Sequence, residues 1–177
     1  MIDVLIGSTI GLIGVILMGK RSASVRIPRI LMRTLRNQSQ MVLLLFSQER
    51  ESTPKQIATR LIKMRTNLAN LTALYDAAIG EIPLKKDLIE YYWPIIYSME
   101  KLGFLLEHAA NTHNRPTLTE AELASLLYLF ETLANATNFS EASELKTIPH
   151  LPGFYSVEQE IDTLQRAVIK PLIQAAQ

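Results

Sequence analysis

The 177-residue chain contains no cysteine. That excludes disulfides, thiolate metal sites and cysteine nucleophiles, and it fits a reducing cytoplasm. Glycine is scarce: there are seven, and four of them fall within the first 19 residues. No Gly-x4-Gly-Lys-Ser/Thr loop, no Gly-x-Gly-x-x-Gly turn and no Gly-x-Ser-x-Gly elbow is present, so nucleotide cradles and the α/β-hydrolase nucleophile lack their signatures. Alternating β-branched runs, internal repeats and low-complexity tracts are missing too. Apolar residues instead recur at helical spacing, and the fold class read from this is all-α.

The small histidine set offers no metal site. His108 and His113 are five apart, which does not place them on one helix face, and His150 belongs to another loop. Glu141 and Glu144 pair in sequence, but nothing apolar encloses them to shift a pKa. Tyr91, Tyr92 and Trp93 read as core or groove lining. No cofactor is expected, and no enzyme.

What is present begins with residues 2–18. This run carries one charge, Asp3, and has no polar face after Val4. As a helix it measures roughly 25 Å, close to a bilayer's hydrocarbon core. A secretory signal would place its basic residues first. Here Lys20, Arg21, Arg26, Arg29, Arg33 and Arg36 all follow the run. The expectation is a membrane span with the basic side facing the cytoplasm. Gly7, Gly11 and Gly14 within it are candidates for close helix contact, because small residues let helices approach in lipid. The implied partners are the lipid bilayer and either further membrane helices or a homo-oligomer.

The overall charge of +1 conceals two unlike parts. Residues 1–36 hold six of the 18 basic side chains and one of the 17 acidic ones; the rest hold 12 and 16. The acidic remainder would repel a phosphate backbone, so nucleic acid is not an expected partner. The basic part should meet anionic headgroups.

Three segments follow: a transmembrane helix at 1–21, a basic amphipathic collar helix at 22–50, and a cytoplasmic bundle of four antiparallel helices at 51–177. In the collar, a helix from about Pro28 to Gln48 puts Arg26, Arg29, Arg33 and Arg36 on one side if it starts slightly early. Ile27, Leu31, Leu35, Val42 and Leu45 fall opposite. The four arginines are candidate contacts for anions or headgroups. Thr53 to Gln56 and Thr119 to Glu122 read as capping boxes. Ile57, Leu61, Met64, Leu68, Leu71, Tyr75 and Ala78 form a heptad seam that could pair with another protein. A further helix spans about 84–108, with Leu84 inward and a kink or break at Pro94. The last helix starts near Ser156.

The stretch IDVLIGSTIG, Ile2 to Gly11, resembles the opening of the last membrane helix of a repeat in the FUSC family. These are the fusaric-acid-resistance or aromatic-acid-exporter-like membrane proteins. Residues 64–71, MRTNLANL, and 80–83, GEIP, are similar to the family's helical cytoplasmic region. The resemblance implies a bacterial inner-membrane protein with several spans before a cytoplasmic helical domain. It implies export of aromatic acids or similar amphiphiles, with the helical part serving assembly or gating. The alternative is a membrane-anchored helical interaction module without transport.

Overall fold

The computed structural model describes residues 22–47, 53–137 and 144–175. Within them are five helices: α1 Ala23–Phe46, α2 Pro54–Ile79, α3 Lys86–Asn111, α4 Glu120–Ala136 and α5 Tyr155–Ala175. Among the described residues there is no strand, and no helix is long and apolar enough to cross a membrane. The apolar run at 2–18, with Gly7, Gly11 and Gly14, lies outside the described residues.

The expected patterns place the helices well. Ile27, Leu31, Leu35, Val42 and Leu45 are buried, and the four arginines opposite them are exposed. The helix begins at Ala23, earlier than Pro28, so the proline sits inside it. Both capping boxes form. Thr53 Oγ1 accepts from the Gln56 amide, and Gln56 Oε1 accepts from the Thr53 amide at 3.1 Å. Thr119 and Glu122 do the same at the start of α4.

Three expectations need correction. Of the kink or break expected at Pro94, the break does not occur: α3 is continuous through it. Pro94 and Glu90 both lie on the exposed side, where water can take the carbonyl freed by the missing amide. Leu84 precedes α3 and is exposed rather than inward. The heptad seam of α2 is spent inside the chain: Met64, Leu71, Tyr75 and Ala78 are buried in its own core.

The helix read as a collar is the one around which the others gather. α1 packs along α2 and α4 and also touches α3; α3 packs on α5, and α4 meets α5. Cross-helix bonds fix the directions. Arg60 donates to Gln40 at 2.6 Å, and Ser22 to Glu81 at 2.6 Å, so α1 and α2 are antiparallel. The pairs Thr72–Glu100 and Arg65–Glu107 make α2 and α3 antiparallel. Ser98–Glu160 and Tyr91–Val168 do the same for α3 and α5. The Leu118 amide donates to the Phe46 carbonyl at 2.9 Å, and Arg36 pairs with Glu131, which makes α4 antiparallel to α1.

It follows that α4 and α5 run in the same direction. The chain therefore returns the length of the bundle between them, and the described end of that return, residues 144–154, is non-helical. Gln165 holds it: Lys146 N donates to Gln165 Oε1 at 2.7 Å, and Gln165 Nε2 donates to Lys146 O at 3.0 Å. Gly153, at φ +80°, supplies the left-handed turn before α5. A purely antiparallel four-helix arrangement is thus not what these contacts describe.

Candidate functional site: a basic groove on the first helix

The buried stripe of α1 fixes where its opposite face points. Four residues of that face, Arg26, Arg29, Arg33 and Arg36, line one open groove of about 820 Å³. Gln40 extends it, and Lys63 enters from α2. The groove has five cationic side chains and no acidic one in its wall.

The cations are not equivalent. Arg36 is committed within the protein: its Nε donates to Glu131 Oε2 at 2.9 Å, and its Nη2 completes a two-pronged ion pair. The hydrogen bond to Arg36, and then its charge, hold Glu131 below the usual carboxylate range although burial opposes this. Arg26, Arg29, Arg33 and Lys63 have no ion pair among the described residues. Four cations crowded without acids repel one another, and an anion relieves that repulsion. The planar guanidinium also matches carboxylate and phosphate geometry in a two-pronged way.

The groove runs along α1 from Gln40 to Arg26, near the start of the helix. There Glu81, in the turn after α2, takes the place of a cap for α1. Its Oε2 accepts from Ser22 Oγ at 2.6 Å and its Oε1 from the Ser24 amide at 3.2 Å. Burial alone would raise the Glu81 pKa. The bonds from Ser22, Ser24 and the Ala23 amide outweigh burial and hold it below the ordinary value. A carboxylate at a helix N-terminus also complements the dipole.

Because the folded pKa is depressed, this latch is fully present above the ordinary carboxylate pKa. It is lost as pH falls through the lowered value. Glu81→Gln should speed amide exchange in the first turn of α1 at neutral pH. Wild type should match the variant only in acid. Equal exchange at neutral pH would show that the latch holds nothing.

The helical period places the four arginines together but does not bring Lys63 to them. Asn67 is buried, and Lys63 belongs to the groove. The α1–α2 pairing that brings Lys63 to the groove is long-range, and no local pattern carries it. Elsewhere, His108, His113 and His150 are exposed, and no metal-holding cluster is found among the described residues. His150 Nδ1 lies 3.0 Å from Glu158. Glu144 is exposed and Glu141 lies outside the described residues. Tyr92 is buried and Tyr91 half-buried; burial pushes the Tyr91 hydroxyl up to about 12 and that of Tyr92 higher still.

Comparison with known proteins gives one informative likeness. The chain is 29% identical over 164 residues to the "Uncharacterized membrane protein YvaC" of Bacillus subtilis (strain 168). The match covers 92% of this chain and 24% of that protein. The chain thus spans about a quarter of the length of the curated relative it matches. No family model matches the chain. No solved structure matches it significantly. The chain is similar to part of a membrane protein.

Proposed function

We propose that this chain is the C-terminal, cytoplasmic helical part of a FUSC-type inner-membrane exporter of aromatic acids or similar amphiphiles. In this reading residues 2–18 are the last span, and the groove lies at the cytoplasmic mouth. There it holds an anion, either a lipid headgroup or the carboxylate of the exported molecule. The observation that carries the reading is the groove itself: five cations and no acid in its wall, beginning at Arg26, eight residues after the apolar run ends at Met18. A protein of this kind needs no catalytic group. The helices would serve assembly or gating, with Gly7, Gly11 and Gly14 packing against other spans.

The reading of an interaction module that pairs through the α2 seam has lost its support, because that seam is buried at home.

The test is charge reversal at the two central groove positions. Each basic residue near an anionic partner contributes about 1 kcal/mol, so Arg29→Glu with Arg33→Glu removes about 2 kcal/mol before repulsion is added. Anion occupancy should fall by at least roughly 30-fold. Export of an anionic aromatic acid by the whole protein should drop accordingly while the variant still inserts in the membrane. Unchanged export with intact insertion sinks the anion-guiding role.

A further inference from the structure

One end of the bundle breaks the ordinary rules of a protein surface. Ile82, in the turn between α2 and α3, is 98% exposed. Leu84 beside it, Ile79 at the end of α2 and Val25 in the first turn of α1 are all exposed. Four large apolar side chains thus stand in water where three helix ends meet. The α3 N-terminus adds a second violation. Lys85 takes the N-cap position at the positive end of its dipole and makes no side-chain cap bond, and Lys86 follows it, with Asp87 the one acid of that first turn. Local rules broken together in one place point to a functional surface.

The apolar residues of this end are flanked by cations, Lys85 and Lys86 on one side and Arg26 and Arg29 on the other; of the acids beside them, Glu81 is held by Ser22 and Ser24, Glu90 pairs with Lys86 at 3.5 Å, and Asp87 lies in the first turn of α3. That pattern matches an anionic bilayer, with apolar groups below the headgroups and cations among the phosphates.

Position supplies the second argument. Ser22 is hydrogen-bonded to Glu81, immediately before Ile82. Only four peptide steps separate it from Met18, the end of the apolar run. Those steps reach at most about 14 Å. If the run lies in a bilayer, as the proposed function has it, the Ile82 turn stands at that bilayer's surface.

We infer that the turn at Ile82–Leu84, with Val25 and Ile79, is a membrane-inserting tip that seats the bundle on an anionic lipid surface. This rests on the membrane reading above but adds a second, separate contact with lipid. The Glu81 latch ties the tip to the start of α1, so the tip and the basic groove meet the bilayer as one rigid unit.

The test uses the whole chain in phosphatidylcholine/phosphatidylglycerol vesicles. Trp93→Phe removes the single tryptophan, and Ile82→Trp places a reporter at the tip; a second protein carries Tyr155→Trp at the other end of the bundle. All three replaced residues, Trp93, Ile82 and Tyr155, are exposed, so folding is expected to survive, and circular dichroism checks it. Acyl-brominated lipid should quench the tryptophan at position 82 and leave the one at 155 bright. Equal quenching at both positions, with the chain floating on vesicles, overturns the tip while the membrane reading stands. Blue-shifted, unquenched emission at position 82 also overturns it, because a protein segment or a second copy then covers the turn. A chain that does not float with vesicles overturns both.

Discussion

Replacing Phe46 by alanine is expected to destabilise the protein by about 3–5 kcal/mol. Phe46 is fully buried at the C-terminal end of α1. Its ring meets Phe154 edge-on, with centroids 5.5 Å apart. Its carbonyl accepts from the Leu118 amide just before α4. One residue thus joins the central helix, the entry to α4 and the end of the return connection. Truncation leaves a cavity where three segments converge, and none of them can collapse into it without moving the others. Urea unfolding measures the loss. Phe104→Ala is the control: that ring is largely exposed on α3, and its loss should change stability by no more than about 0.5 kcal/mol. Equal midpoints for the two variants would show that the Phe46 junction is not a core.

Glu160→Ala is expected to cost about 2–4 kcal/mol. Glu160 is a carboxylate on α5 with 2% of its side chain exposed. Ser98 Oγ donates to one oxygen at 2.5 Å, and Lys101 Nζ reaches the other at 2.6 Å, both from α3. Alanine removes one buried methylene and the carboxylate, and strips Ser98 of that short bond. Lys101, half in water, is left free to solvate. The reverse deletion, Lys101→Met, leaves the carboxylate buried with Ser98 alone, and should also destabilise. Combining Glu160→Leu with Lys101→Met removes both charges and should recover most of the loss, because an apolar pair of similar volume is often as stable as a buried ion pair. Strict additivity of the single losses would contradict a coupled pair.

The elements that the sequence revealed are those set by local chemistry. The arginine face of α1 and the buried Ile27, Leu31 and Leu35 follow from the 3.6-residue period. The starts of α2 and α4 follow from caps three residues apart. Pro94 misled because a proline penalty depends on where its freed carbonyl points, and here that side meets water. The parallel course of α4 and α5 was hidden because nothing local records which way a long connection travels; it is set by the pairing of α4 with α1 through Arg36–Glu131 and of α5 with α3 through Ser98–Glu160.

The groove was half legible. Its arginines share one helix face, but Lys63 arrives by α1–α2 pairing, and Arg36 turns out to be held by Glu131, 95 residues away. The exposed turn at Ile82 was invisible to periodicity, which assigned Leu84 inward.

The most direct measurement is the reactivity of individual arginines toward phenylglyoxal, read by mass spectrometry, with the whole chain in bilayers of neutral or of phosphatidylglycerol-containing lipid. The account predicts several-fold protection of Arg26, Arg29 and Arg33 on the anionic bilayer, with Arg166, paired to Asp162 on α5, unchanged. Equal reactivity of Arg26, Arg29 and Arg33 on the two bilayers would contradict an anion-binding groove facing the membrane.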